Sequence, residues 1–124
     1  MKDFSPDENL YRAVKPKPIF WKMAVNRPSS ALFKDSNGVS VDRQADRTVD
    51  EALETVRENF SEIQLKAIVG IMVKECEGIG AIVKYKPIES NTFHSEIHNS
   101  LEEAQLTDGK AKRLARLSKI YYQS

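Results

Sequence analysis

Leu65, Ala67, Val69, Ile71 and Val73 alternate with a mixed set along an apolar, β-branched run. A period of two places alternate side chains on opposite faces of a strand, so the run predicts a buried strand over residues 65–73. A helix starting at Ser61 competes, because a short apolar run fits either period. Ile79 to Lys86 gives a second strand, with Ile79, Ala81, Val83 and Tyr85 opposite Ile82, Lys84 and Lys86, and Pro87 ends it. Lys74–Gly78 between them is expected to be a turn. Two strands with apolar faces need a sheet and something to cover it.

Thr48-Val49-Asp50-Glu51 has the form of a capping box, in which Thr48 caps a helix and Glu51 reaches back. Val49, Ala52, Leu53, Val56 and Phe60 follow at helical spacing and predict a helix over residues 49–60. Thr107 can cap a last helix over residues 108–121, with Ala111, Leu114, Ala115, Leu117 and Tyr121 as its apolar face. Leu10–Val14 alternates and suits a first strand. Lys15-Pro16-Lys17-Pro18 forces extended geometry, because proline fixes φ and restricts its predecessor. Ile19-Phe20-Trp21 is expected to anchor that loop to the core.

Residues 30–34 and 39–42 suit two strands joined by Asp35-Ser36-Asn37-Gly38, whose Asn-Gly pair is a hairpin signal. Val39 and Val41 would then share a face opposite Ser40 and Asp42. Phe93–His98 suggests a short edge strand. The expected architecture is α+β: a small single domain over residues 10–124, with a mostly antiparallel sheet and two main helices, after a flexible lead-in over residues 1–9. The hairpin and the strand pair 67–86 should share one sheet under helix 49–60. Phe33, Val41, Leu53, Val56, Val69, Ile71 and Leu114 should form its core.

A chain of 124 residues is one domain by length. Nineteen basic and 18 acidic residues leave a net charge of +1, which argues against the basic field of a nucleic-acid binder. Cys76 is the single cysteine, so no internal disulfide forms and a reducing, cytoplasmic setting is expected. The N-terminus is polar, and the longest apolar run is far short of a membrane span. No Walker A loop, G-x-G-x-x-G or C-x-x-C occurs, so these signatures name no cofactor.

The polar residues concentrate in two segments. Arg27, Ser29, Ser30, Asp35, Ser40, Asp42 and Arg43 could build a pocket for an anion or a sugar, since the arginine fork suits phosphate. Turn formation by Asp35 and an Asp42–Arg43 pair explain the same residues structurally. Asn91, His94 and Glu96 form the second segment. His94 is suited to proton transfer, and Glu96 is the other acid/base candidate. His94 and His98 are four apart, but Ser95 stands where the helical zinc motif has glutamate and no third ligand is evident, so no metal is expected. Cys76 lies between Glu75 and Glu77, which raise a thiol's pKa and argue against a nucleophile. The cations of the last helix suit a solvated face near a helix C-terminus.

Arg27-Pro28-Ser29-Ser30-Ala31-x-Phe33, then Ser40-Val41-Asp42, then Asn91-x-x-His94-x-x-Ile97 resembles an uncharacterised group of small bacterial proteins, over most of the chain from Leu10. The resemblance implies a bacterial origin and a single-domain fold. Arg12, Ser29-Ser30 and Glu96 also fall in the order of the motif residues of mono-ADP-ribosyltransferase-like folds, a second resemblance from which the serine segment departs.

Two functions follow as expectations. One is a binding or interaction module that recognises a small anionic ligand or a protein partner through residues 27–43. The other is a small enzyme on a nucleotide-like or ADP-ribose-type substrate, with His94 or Glu96 as acid/base and Arg27 or Arg43 on phosphate. Convergence of Arg27, Asp42, Asn91 and His94 on one concave site would favour ligand binding or catalysis.

Overall fold

The structure, a computed structural model, describes every residue except Lys2. In chain order it contains β1 (Asn9–Val14), β2 (Trp21–Lys22), β3 (Arg27–Pro28), β4 (Val39–Arg43), α1 (Val49–Asn59), β5 (Ala67–Met72), α2 (Val73–Gly78), β6 (Ile82–Tyr85), β7 (His94–His98), α3 (Asp108–Leu117) and β8 (Lys119–Gln123). Six strands form one antiparallel sheet in the order β6-β7-β4-β1-β5-β8, and β2 and β3 pair as a separate ribbon. The protein is therefore α+β, as its patterning requires. Among the described residues no helix is long and apolar enough to cross a membrane.

The sheet is covered unequally. One face carries Leu10, Val14, Val39, Val41, Val69, Ile71 and Ile97 and packs under α2, α3 and the 3-10 turn Ser30–Phe33. The other face carries Tyr11 and Ile68 beneath Ala52, Leu53 and Val56 of α1. On that second side the residues of β4 and β7 are polar: Tyr11 registers with Asp42, Asp42 with His94, and Ser40 with Glu96. All seven residues expected in the core are buried.

Local chemistry explains the elements. Thr48 Oγ1 accepts from Glu51 N at 3.2 Å and Glu51 Oε1 accepts from Thr48 N at 2.9 Å, so the capping box starts α1 as expected. Strand β5 takes residues 67–72, and Gly70 within it makes room for the Tyr121 ring. A Cβ at Gly70 would stand 2.5 Å from Tyr121 Cε2.

Several expectations are corrected. Residues 30–34 are no strand: Leu32 and Phe33 are both 1% exposed, and a strand would point such neighbours to opposite faces. Asp35–Gly38 does turn, with Gly38 at φ 98°, but it joins that 3-10 turn to β4 and closes no hairpin. Strands β5 and β6 are not neighbours. Residues 73–78 form α2, which lets the chain cross to the far edge, and Glu75 Oε1 accepts from Met72 N at 2.9 Å at its start. Strand β7 is not an edge, since it lies between β6 and β4. The last helix stops at Leu117 because Arg27 occupies its terminal carbonyls, and the β-prone Ile120-Tyr121-Tyr122 pair instead with β5. Helix α1 covers β1 and β5 but leaves β7 and β6 bare.

Within the expected lead-in, Phe4 and Glu8 are tied to the domain. Glu8 holds Arg43 through both carboxylate oxygens at 2.8 Å, and the Phe4 ring stacks 4.0 Å from that guanidinium. Burial raises the Glu8 pKa, but the Arg43 bonds and the Ala45 amide outweigh it and hold the carboxyl below its ordinary value.

Candidate functional site

Strands β1 and β4 register at only two positions, Leu10 with Arg43 and Tyr11 with Asp42. Past that point Arg12 stands in for the missing ladder: its NH1 donates to Ser40 O at 2.9 Å and its Nε to Leu32 O at 3.3 Å. Burial depresses the Arg12 pKa, and Asp35 partly offsets this. A cleft of about 540 Å³ opens over this split. Its walls come from α1 (Val56, Asn59 and Phe60), the loop after β6 (Ile88, Ser90 and Asn91), and Lys15, Phe20 and Asp35.

Asp42, Asn91 and His94 line this cleft together. Asn91 Nδ2 donates to Asp42 Oδ1 at 2.8 Å, and Asn91 Oδ1 accepts from Phe93 N at 3.0 Å, which fixes the amide's orientation. Asp42 Oδ2 is buried and has no hydrogen-bond partner among the described residues. Desolvation raises the Asp42 pKa, against the Asn91 bond and the charges of Arg47 and His94. Arg47 is itself tied to Thr55 Oγ1 at 2.6 Å and Arg43 O at 2.7 Å, so it lends charge from fixed ground.

His94 Nδ1 lies 2.8 Å from Lys86 O. A carbonyl only accepts, so Nδ1 carries the proton in the neutral ring and Nε2 keeps a lone pair. No bond of Nε2 to any described residue forms. The arrangement sets a desolvated, half-satisfied carboxylate beside one imidazole nitrogen able to accept or exchange a proton. Two cations, Arg12 and Lys15, face two carboxylates, Asp35 and Asp42, so the cleft carries no strong net field.

The remaining expected residues lie elsewhere. Arg27 NH2 donates to the carbonyls of Ala115, Arg116 and Ser118 at 2.7–3.0 Å, tying the ribbon to the end of α3. Arg27 and Ser30 line a different groove, beside α3. Ser29 Oγ donates to Ile19 O. Arg43 is 1% exposed and committed to Glu8 on the opposite side of β4 from Asp42. The segment 27–43 is thus no single polar pocket, because Arg27 is committed to the end of α3 and Arg43 to Glu8, away from Asp42. Glu96 lies outside the cleft, held by His98 Nε2 at 2.8 Å and near Lys86 at 3.6 Å. Burial raises the Glu96 pKa, but those partners outweigh it and keep the carboxyl low, which suits an acceptor and not a proton donor. Arg12, Ser29 and Glu96 therefore do not meet in one site.

Among the described residues no group of three His, Cys, Asp or Glu is placed for a metal. His94 and His98 are each committed to a different partner. Burial first, then Glu75 and Glu77, pushes the Cys76 thiol up to about 12. Arg12, Lys15, Phe20 and Phe60 were missed as cleft residues. The β1–β4 register, the end of α1 and the turn Pro18–Phe20 bring them beside Asp42, and no short motif encodes that meeting. Comparison with protein-family models, curated proteins and solved structures finds no significant match.

Proposed function

We propose that the protein binds a small polar molecule in the cleft between β1, β4, α1 and the loop after β6. The ligand presents an N–H or O–H donor to Asp42 and lays an apolar part against Phe20, Phe60 and Ile88. The observation that carries this reading is a cleft of about 540 Å³ lined by Asp42, whose buried Oδ2 has no hydrogen-bond partner among the described residues. Burying a carboxylate oxygen without a partner is costly, and a ligand donor would remove that cost. The volume suits a small molecule. The balanced charge of the lining supports a neutral or weakly charged ligand in place of the strongly anionic one expected for residues 27–43. A bacterial cytoplasm is the setting we assign to this role, on the sequence resemblance and the single thiol.

A second reading, a small enzyme on a nucleotide-like substrate, is favoured by one observation. Nδ1 of His94 is pinned, which leaves Nε2 as a positioned base next to Asp42 across the β4–β7 register. Glu96 is not part of this reading.

A thermal-shift screen with amides, amines and nucleobases tests the binding role. A ligand of the folded state raises the melting temperature by mass action, by about 2.7 kcal/mol of stability at a hundredfold excess over Kd. Stabilisation that disappears in Asp42→Asn supports the proposal, and stabilisation that persists there contradicts it.

A further inference from the structure

A second groove, of about 400 Å³, runs between the β2–β3 ribbon and α3. Its charged lining is entirely basic: Lys22, Arg27, Lys112 and Arg116, with Ser30 beside them and no carboxylate. None of these four cations forms an ion pair among the described residues. The nearest acid along α3, Asp108, is held 2.7 Å from Lys34 and exerts a weaker pull on Lys112, four residues on.

Structural duties account for part of this charge only. Arg27 completes the carbonyl end of α3, and a cation near that end suits the helix dipole. Lys112 is mid-helix and exposed, one turn before Arg116, where like charges at i, i+4 repel. Lys22 arrives from the ribbon and adds a third repelling charge on the same groove. The chain as a whole is almost neutral, so the concentration is local. Arg27 spends one terminal nitrogen, NH2, on the helix carbonyls; NH1 and Nε have no partner among the described residues.

We propose that this groove is a binding site for a soluble anion bearing one or more phosphate groups. A guanidinium fork donates bidentately to phosphate oxygens, lysines add point charge, and Ser30 supplies a hydroxyl. Three exposed cations beside the clamped Arg27, with only Asp108 at the far end of α3 as partial counter-charge, call for a ligand of more than one negative charge. The site is separate from the Asp42 cleft and stands whether or not that cleft binds its own ligand.

The test is a ¹H–¹⁵N NMR titration of the full chain with pyrophosphate at constant ionic strength. The proposal expects saturating shifts at Lys22, Ser30, Lys112 and Arg116, and a loss of affinity on the order of tenfold or more in Lys22→Ala/Lys112→Ala/Arg116→Ala, as for removal of charge-assisted bonds. Arg27 is kept in that variant because it holds α3. The three replaced side chains are exposed and repel one another, so the melting temperature without ligand should not fall. Should the triple variant fail to fold, Lys112→Gln alone gives the same comparison with a smaller loss. Non-saturating shifts, shifts reproduced by chloride, or affinity unchanged in the variant would overturn the proposal. Tight binding of a single-stranded oligonucleotide without any response to pyrophosphate would also overturn it, in favour of a polymer backbone.

Discussion

Asn91 Nδ2 donates to Asp42 Oδ1 at 2.8 Å, and among the described residues this single bond is all that Asp42's buried carboxylate receives from a side chain. Asn91 is itself fixed by the Phe93 amide, so it cannot turn to serve Oδ2. A fold selected for stability alone would have an amide or an apolar residue at position 42. Strained or unsatisfied groups of this kind are the usual cost of a functional site.

The first prediction is a pH dependence. Burial raises the folded-state pKa of Asp42 above its ordinary value of 3.8. A raised carboxyl favours the protonated folded state. Its contribution to stability is complete below the ordinary value and is lost as pH rises through the raised one. Glu8 and Glu96 act in the opposite direction, since their lowered values stabilise the fold above the ordinary range and are lost on acidification. Asp42→Asn removes only the first effect. Melting curves should show the variant gaining on the native protein as pH climbs from about 4 to neutrality, because an uncharged amide is easier to bury than a carboxylate. A variant that instead loses ground over that range would contradict the assignment.

Arg27 should behave as a structural clamp. Its three carbonyl partners at the end of α3 would be stranded by Arg27→Ala. The expected cost is about 1.5–3 kcal/mol, the range for hydrogen bonds to a charged group. Urea titration measures it directly. A change below about 0.5 kcal/mol would place Arg27 among ordinary surface residues.

Removal of Glu8 should be more damaging. Its side chain is 6% exposed and Arg43's is 2% exposed, so Glu8→Ala removes the carboxylate that holds a buried guanidinium through two nitrogens. Breaking one side of a buried pair costs about 3–5 kcal/mol. Denaturant unfolding at neutral pH should show that loss. A shift under about 1 kcal/mol would mean water reaches Arg43 once Glu8 is gone.

Long-period signals carried the fold. The Thr48–Glu51 box and the spacing of Leu53 and Val56 are enough to define α1, and the alternation from Ala67 to Ile71 defines β5. Short elements were hidden. Six residues of α2 span too few turns to show a period, and its acidic Glu75 and Glu77 look like a solvated turn. Ser30–Phe33 carries strand-like residues, but burying both Leu32 and Phe33 required a tight turn. The site was partly legible. Asp42, Asn91 and His94 are polar residues next to β-prone runs, and cross-strand pairing brought them together. Arg27 and Arg43 have the same look in one dimension, yet long-range partners, Ser118 and Glu8, absorb them. Partners so far away along the chain leave no local trace.

The central claim is that the cleft at Asp42 receives a small donor-bearing molecule. The most direct measurement is a ¹H–¹⁵N NMR fragment screen run in parallel on the native protein and on Asp42→Asn. The account predicts that fragments with an amide, amine or nucleobase edge shift Tyr11, Asp42, Asn91 and His94 in the native protein, and that these shifts vanish in the variant while the rest of the spectrum stays folded. Fragments that bind both proteins equally, or that never touch these four residues, would contradict it.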